Sequence, residues 1–298
     1  MSELDPKRHI HKNKNLSAGY SLSNIIKAEP YVDATVELLE QRFDELIKVG
    51  KEVKFDHWFN YFAFDVMGEV TFSRAFNFVS EGRDVGNAIA NTRALALYIA
   101  VMGHYVWLHE WTLGNPLLSR LGLQPTSHIF DTTLAAIDAR KAQPDIRKDM
   151  LEQWLTVRRQ YPDRMEESEI LAAASANVGA GADTILLSVN PWVFHRNHEL
   201  FGADSDSFNP ERWLDKERYR EMDRFLIHWG AGYNQCPGKH LAHFEISKLA
   251  ATLVRDYDVE QVNPNQSWRF ETHFTAVPYD WACRMKRRDL YDHISEKA

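Results

Sequence analysis

Cysteine is scarce in this sequence: Cys236 and Cys283 are the two among 298 residues. Two cysteines cannot form the disulfide framework of a small secreted domain, so a reducing compartment is the simpler interpretation. The chain also has no run of about 18 consecutive apolar residues and no apolar leader after Met1. These absences predict a protein that is soluble or at most peripheral, with no transmembrane anchor in this chain.

An excess of positive charge is missing as well, because the formal net charge is -7. A negative chain does not complement a phosphate backbone, so we expect no nucleic-acid partner. The sequence contains no phosphate-cradling glycine loop, no dinucleotide fingerprint and no nucleophile elbow. It does contain 44% hydrophobic and 26% charged residues, a balance typical of globular domains.

Apolar residues recur at helical spacing along most of the chain. The clearest stretch is 31–49, where Val32, Val36, Leu39 and Phe43 share one face. Similar patterns predict helices over 56–70, 88–101, 129–142, 151–159, 167–179 and 238–255. Alternation of apolar and polar residues over 268–285 indicates a short hairpin. The predicted fold class is therefore mainly α (α+β), with a small C-terminal β-hairpin region.

The most informative stretch is Trp229 to Gly238, in which Cys236 directly precedes a predicted helix. A metal-binding thiolate is stabilised by the positive end of a helix dipole. Gly230, Gly232 and Gly238 let the backbone turn sharply and approach a flat cofactor closely. A structural cysteine in a glycine-containing loop is the alternative. The Gly-x-Gly-x-x-x-Cys-x-Gly spacing favours the metal ligand.

A second motif closes the alanine-rich run that begins at Leu171, and its residues are Ala180, Gly181, Ala182, Asp183 and Thr184. The small Ala-Gly pair leaves room for a diatomic ligand, and an acid beside an alcohol can relay protons. A helix end capped by Asp or Thr is the alternative interpretation. The cysteine loop further along the chain favours the catalytic one.

A third motif, Phe208 to Trp213, contains Pro210-Glu211-Arg212 and precedes the cysteine loop. A surface arginine in a loop is the alternative for this motif alone. Together and in this order, the three motifs resemble the cytochrome P-450 family of haem-thiolate monooxygenases. The run from Asn190 to Gly202 also looks like the family's approach to the third motif.

The resemblance extends over most of the chain and implies the cytochrome P-450 architecture, in incomplete form, as a single domain over residues 1–298. The stretch Phe64 to Phe72 is similar to a segment of fungal members, including the pisatin-demethylase-like group. Three positions depart from the family pattern. Trp229 replaces a usual Phe, Asn234 replaces an Arg that reaches a haem propionate, and Asn13 replaces a basic residue.

The resemblance implies haem b as cofactor, with Cys236 as the iron ligand. The residues implied around the cofactor are Trp229, Gly230, Gly232, Cys236 and Gly238. Asp183 and Thr184 are the implied catalytic residues, which would manage proton delivery. The implied activity is monooxygenation of a small apolar organic substrate in fungal secondary metabolism.

The resemblance also implies a partner, NADPH-cytochrome P-450 reductase, because the chain has no nucleotide-binding motif of its own. Lys239, Lys248 and Arg255 could form a basic docking face for it, and a solvated helix face is the alternative. The implied location is cytoplasmic or peripheral at the endoplasmic reticulum.

Two parts of the family pattern are missing from the sequence. The N-terminal anchor region would precede Met1, and the helix carrying a Glu-x-x-Arg pair would lie between about 185 and 189. Thr184 is instead followed almost at once by Asn190. Without that pair, Arg212 is expected to be buried and unpaired, and the cysteine loop poorly held.

Two other hypotheses follow. The missing support for the cysteine loop favours a non-catalytic truncated cytochrome P-450 remnant with weak or no haem binding, whereas the intact Cys236, Asp183 and Thr184 oppose it. Peroxide-driven haem-thiolate chemistry without a reductase is the third hypothesis, and turnover with peroxide alone would support it.

Overall fold

A computed structural model of the chain describes residues 5–109, 111–112, 115, 127–142, 147–178, 191–232, 235–267, 269–272 and 276–288. The chain divides into two compact units. Unit 1 comprises Met1–Ala182 with His240–Ala298, and unit 2 comprises Asp183–Lys239. The described chain is mainly helical with small sheets, which confirms the predicted fold class. The single domain over 1–298 stays a prediction.

The helices follow the apolar periodicity of the sequence. In chain order they are α1 (Pro6–Leu16), α2 (Leu22–Lys27), α3 (Glu29–Lys48), α4 (Phe55–Phe72), α5 (Phe78–Glu81), α6 (Ala88–Met102), α7 (Val106–His109), α8 (Ser127–Ala142), α9 (Met150–Gln160), α10 (Glu167–Val178), α11 (Pro191–Phe194), α12 (His198–Phe201), α13 (Lys216–Asp223) and α14 (Lys239–Asp256). The seven helices predicted from the sequence correspond to α3, α4, α6, α8, α9, α10 and α14, with ends that differ by one or two residues.

Helix α3 illustrates why these segments are helical. Its buried face carries Val32, Val36, Leu39 and Phe43, spaced three or four residues apart, so that they line one side of the helix. The chain reverses after the helix at Gly50, whose φ of 66° suits a residue without a Cβ.

The described part of unit 1 also contains two small antiparallel sheets. The strands are β1 (Val53–Lys54), β2 (Tyr257–Gln261), β3 (Arg269–Thr272), β4 (Ala276–Tyr279) and β5 (Ala282–Arg287). Strands β3 and β4 form the hairpin that the alternation predicted. The predicted extension of this hairpin to Met285 is wrong, because β5 pairs with β1 and β2 in a separate sheet. That pairing depends on residues distant in sequence, which local alternation does not encode.

Trp154 of α9 occupies the centre of the unit 1 core, and none of its surface is exposed. Its indole N–H donates to the Leu16 carbonyl at 3.1 Å, and its ring lies 5.8 Å from that of Tyr20. Gly19 leaves room for the indole, because a Cβ there would lie 2.6 Å from the indole nitrogen. Unit 1 is thus organised by burial of large apolar side chains.

Among the described residues, the stretch Val85–Met102 is long and apolar enough to cross a membrane by length and composition. The sequence expectation of no such segment used an unbroken apolar run, which Asn91 and Arg93 interrupt. Only 6% of the stretch is buried, and Leu97 and Val101 are exposed.

Unit 2 contains short helical elements joined by irregular chain. Side chains cap α12 and α13 at their N-termini: Asn197 accepts backbone N–H bonds from Glu199 and Leu200, and Asp215 accepts them from Glu217 and Arg218. These bonds satisfy amides that a short helix cannot satisfy internally. Residues Pro210–Trp213 form a single turn of 3-10 helix.

Candidate functional site

The cysteine loop is closed by one backbone hydrogen bond at its base. The N–H of Cys236 donates to the Trp229 carbonyl at 2.7 Å, so the loop returns to its starting point. The N–H of Gly230 donates to the Ile227 carbonyl at 2.8 Å, and that of Gln235 donates to the Gly232 carbonyl at 3.3 Å. These bonds bring Trp229, Gly230, Gly232 and Cys236 together in one turn.

Glycines are required in this loop for their backbone conformation. Gly230 and Gly232 have φ values of 73° and 62°, in the left-handed region that other residues adopt only at a cost. A Cβ on Gly232 would meet no atom of the described residues within 4 Å, so this part of the chain leaves open space beside the glycine. These φ values suit the sharp turn predicted for the glycines, and their role in binding a cofactor stays a prediction.

The two cysteines differ sharply in exposure. Cys236 is exposed, three residues before the first residue of α14, whereas Cys283 lies in β5 with 1% of its surface exposed. Burial raises the pKa of the Cys283 thiol, which keeps it protonated and unreactive. An exposed sulfur at the end of a glycine turn fits the needs of a flat, metal-containing cofactor, and Cys236 is the thiol that could hold it.

Arg212, which the sequence led us to expect unpaired, is fully bonded within unit 2. Its guanidinium donates to four backbone carbonyls: those of Asn209 (3.0 Å), Phe201 (3.0 Å), Asp204 (2.7 Å) and Ser207 (3.0 Å). It also lies 3.1 Å from the Asp204 carboxylate. The prediction of an unpaired arginine is therefore wrong, because carbonyls of the surrounding irregular chain satisfy the guanidinium.

The neighbouring segment is tied to the same arginine and to a second one. Arg218 of α13 also donates to the Phe201 carbonyl, at 3.2 Å. Asp204 accepts a hydrogen bond from Asn209 at 2.6 Å, and this bond and Arg212 lower the pKa of its carboxyl. The chain that leads into the cysteine loop is thus held by bonds to backbone oxygen atoms.

His195 is a second polar anchor that the sequence did not indicate. The N–H of Ile227, two residues before Trp229, donates to its Nε2 at 3.1 Å. The ring lies 5.5 Å from that of Phe201 and 6.0 Å from that of His228. His195 anchors the loop through a hydrogen bond to the backbone of residue 227, which is distant in sequence. A local sequence motif therefore could not have predicted this contact.

Three of the predicted positions cannot be compared with the loop. Asp183, Thr184 and Asn234 lie outside the described residues. Asn13, by contrast, lies on α1, and its side-chain nitrogen is 3.3 Å from Nδ1 of His9.

The proposed basic docking face is largely neutralised within the chain. Lys248 lies 2.7 Å from the Glu29 carboxylate and also bonds Asp33, and Arg255 lies 2.6 Å from Asp256. Two of its three cations therefore already have acidic partners. This arrangement favours the alternative, a solvated helix face whose charges are paired.

Comparisons with known proteins bear on the same region. The cytochrome P-450 family model matches residues 185–279, a range that contains the cysteine loop and the Phe208 to Trp213 motif. Its match begins directly after Asp183-Thr184, at the point where the sequence predicts missing residues. The family model covers about a third of the chain. Similarity over the rest of the chain is shown by comparison with individual relatives.

Two fungal relatives cover most of the chain. Cytochrome P-450 monooxygenase cicH of Emericella nidulans is 26% identical over 378 residues, with 94% of this chain and 76% of the relative aligned. A cytochrome P-450 monooxygenase of Aspergillus terreus is 27% identical, with 85% of this chain and 72% of the relative aligned. The alignment with cicH is longer than the whole chain of 298 residues. The relative therefore contains residues, inside the aligned region, that this chain lacks.

The fold agrees with that of solved proteins. The crystal structure of a cytochrome P-450 designated CYP102L1 matches with a TM-score of 0.74 and 15% identity, covering 95% of this chain and 82% of that one. The chain is therefore similar in sequence, over most of its length, to fungal proteins named as cytochrome P-450 monooxygenases, and its fold is similar to that of a solved cytochrome P-450.

Proposed function

We propose that this chain binds haem b through Cys236 and oxidises a small apolar organic substrate in fungal secondary metabolism. The observation that carries the proposal is the closed glycine loop with its exposed cysteine, because no other thiol of the chain is accessible. Family members carry a haem bound by a cysteine thiolate. When bound, that haem supplies the activation of dioxygen and the transfer of one oxygen atom to substrate.

The chain's own residues would prepare this chemistry. Cys236 would present its sulfur from the end of the loop, and the bond between its N–H and the Trp229 carbonyl would fix the direction of the sulfur. Gly230 and Gly232 would let the loop lie close to the haem plane, since neither has a side chain to hold it away. Trp229 and Gly238 would complete the surroundings of the sulfur. Asp183 and Thr184 would manage proton delivery.

Electrons would come from a separate protein. Family members generally use redox partners, and we propose NADPH-cytochrome P-450 reductase for this chain. Because Lys248 and Arg255 are paired internally, Lys239 is the cation of the expected face that remains for such a partner. A Lys239→Glu variant that receives electrons as fast as the native chain would remove this residue from the docking face.

We further propose a cytoplasmic location with peripheral contact at the endoplasmic reticulum. The support is the poorly buried stretch Val85–Met102 together with Trp107 and Trp111, which are 66% and 75% exposed. Exposed tryptophans beside an apolar helix are typical of the membrane–water interface. Cosedimentation with phosphatidylcholine vesicles tests it, and a Trp107→Ala variant that binds vesicles as well as the native chain would count against it.

The test of the main proposal is the absorption spectrum of the haem-reconstituted chain, reduced and exposed to carbon monoxide. We expect a thiolate-type Soret band that is lost in Cys236→Ala and retained in Cys283→Ala, the matched control at the buried cysteine. Absence of stable haem, or a band indifferent to Cys236→Ala, would overturn the proposal.

The non-catalytic remnant is the second candidate, and the alignment that is longer than the chain favours it. The bonds of Arg212 weigh against it, because the segment before the cysteine loop is held without a Glu-x-x-Arg pair. A folded chain that takes up no haem would establish the remnant.

A further inference from the structure

His195 lies at the entrance to the cysteine loop, and its ring accepts a backbone hydrogen bond there. The N–H of Ile227 donates to Nε2 at 3.1 Å. The imidazole therefore fixes the amide of Ile227, two residues before Trp229.

The ring is held in place by its aromatic neighbours. Its centroid lies 5.5 Å from that of Phe201, at an interplanar angle of 81°, and 5.9 Å from that of Phe194. Phe201 is 3% exposed and is one of two buried apolar side chains in the described part of unit 2. An imidazole packed edge-on between these rings has little freedom to turn away from the Ile227 amide.

Consecutive hydrogen bonds connect this contact to the cysteine. The N–H of Ile227 bonds to His195, and the carbonyl of Ile227 accepts the N–H of Gly230 at 2.8 Å. The carbonyl of Trp229, two residues after Ile227, accepts a hydrogen bond from the N–H of Cys236 at 2.7 Å. Fixing Ile227 therefore fixes the carbonyl that begins the loop and, through Trp229, the backbone of the cysteine.

We propose that His195 is a positioning residue, whose neutral ring holds the entrance of the cysteine loop so that Cys236 presents its sulfur in one direction. The hydrogen-bond geometry supports the effect of His195 on the conformation of the loop. The expected effect of His195 on haem binding rests on the proposed function.

The charge state of His195 decides whether the bond exists, because a protonated Nε2 has no lone pair to accept the Ile227 N–H. Burial lowers the pKa of His195, the charges on His228 and Arg196 lower it further, and the Phe225 backbone opposes them. Arg196 is itself 3.4 Å from the Asp206 carboxylate and lies over the Trp192 ring at 3.7 Å.

The direction of the pH effect follows. In the folded chain the pKa of His195 is depressed, so its ring is neutral at about pH 7.5. The stabilising contribution is present above the pKa of a free histidine and is lost as the pH falls through the lower, folded-state pKa. Acidification is expected to release the loop entrance before the rest of the fold responds.

The experiment compares amide hydrogen exchange in the haem-free chain across pH, corrected for the intrinsic exchange rate. At neutral pH, protection of the Ile227 amide should be roughly three- to tenfold lower in His195→Phe than in the native chain, the range expected for one net hydrogen bond, and this difference should disappear at acidic pH. His195→Gln should retain protection and lose its pH dependence, because a Gln oxygen can accept the bond but does not titrate. His198→Gln, at an exposed neighbouring histidine, is the matched control and should behave as the native chain.

Haem affinity is the second readout. We expect His195→Phe to bind haem more weakly than the native chain and His195→Gln to bind it equally well. If the exchange results hold but the native chain binds no haem, His195 remains a positioning residue and the proposed function fails. If the native chain binds haem through Cys236 and Ile227 protection is unchanged in His195→Phe, the inference about His195 is overturned. Should His195→Phe not fold, the pH profile of His195→Gln decides alone.

Discussion

Unit 1 and unit 2 are stabilised by different kinds of interaction. In unit 1, Phe43, Met150 and Trp154 are fully buried, and their neighbours form a continuous apolar core. In the described part of unit 2, Phe201 and Met222 are the buried apolar side chains, and polar side chains bonded to the backbone hold the remainder. The difference shows that the cysteine loop belongs to a region whose conformation depends on individual hydrogen bonds.

This difference has an energetic consequence. Burying a large apolar side chain contributes about 1.5–3 kcal/mol and tolerates small shifts of its neighbours. A hydrogen bond contributes about 1 kcal/mol and is lost when its geometry changes. A perturbation of unit 1 should therefore lower the stability of the core broadly, whereas a perturbation of unit 2 should alter one segment.

The largest expected effect is in unit 1, at the buried ion pair between Arg140 of α8 and Asp149. The Arg140 Nε lies 2.7 Å from Asp149 Oδ2, and each side chain is 2% exposed. Arg140→Ala leaves the carboxylate buried, with the Ser73 hydroxyl and the Glu152 amide as its remaining partners among the described residues, which should cost about 3–5 kcal/mol. Urea unfolding measures it. Lys141→Ala, at the exposed neighbour, is the control, and an equal loss there would refute the special role of the buried pair.

The next effect tests whether unit 1 also contains an unfavourable polar group. Glu245 of α14 has a carboxylate oxygen that is shielded from water and has no hydrogen-bond partner in the described chain, and burial raises its pKa to about 8. Because the folded pKa exceeds the unfolded one, stability falls as pH rises from about 4.5 toward 8. Glu245→Gln should therefore stabilise the chain by roughly 2–4 kcal/mol near pH 8 and change nothing near pH 4.

Urea midpoints at both pH values decide this prediction. A gain that is the same at both would mean that the Gln side chain packs better, and that the ionisation of Glu245 plays no part.

The comparison of the units also explains how far sequence reasoning reached. Helix α4 was predicted over 56–70 and observed at Phe55–Phe72, because a buried helical face leaves a periodic pattern in the sequence. The glycines of the cysteine loop were equally predictable, since a positive φ constrains residue type. The partners of Arg212 and His195 were not, because backbone carbonyls and amides have no residue-specific signature. Strand β5 was misassigned for a similar reason: its partner β1 lies more than two hundred residues away.

In unit 2 the largest expected effect is at Arg212. Arg212→Ala removes a donor from four carbonyls that lie within residues 201–209, and should cost about 2–3 kcal/mol of local stability. Amide exchange resolved by residue should show faster exchange between 197 and 239 and unchanged exchange in α3 and α4. Arg220→Ala, on the exposed face of α13, serves as the control. Faster exchange throughout unit 1 would contradict the separation of the two units.

The smallest effect concerns the cap of α12, a four-residue helix that precedes the bonds of Arg212. Asn197 accepts the N–H groups of Glu199 at 2.9 Å and Leu200 at 3.1 Å. Asn197→Ala should cost about 1 kcal/mol, and Asn197→Asp should restore it, because Asp caps as well as Asn. In exchange measurements the loss should appear at Glu199 and Leu200 first. If the free energy of unfolding of the unit 1 core fell by the same amount, the two units would unfold as one cooperative body. The cysteine loop would then not differ from unit 1 in its dependence on single polar bonds.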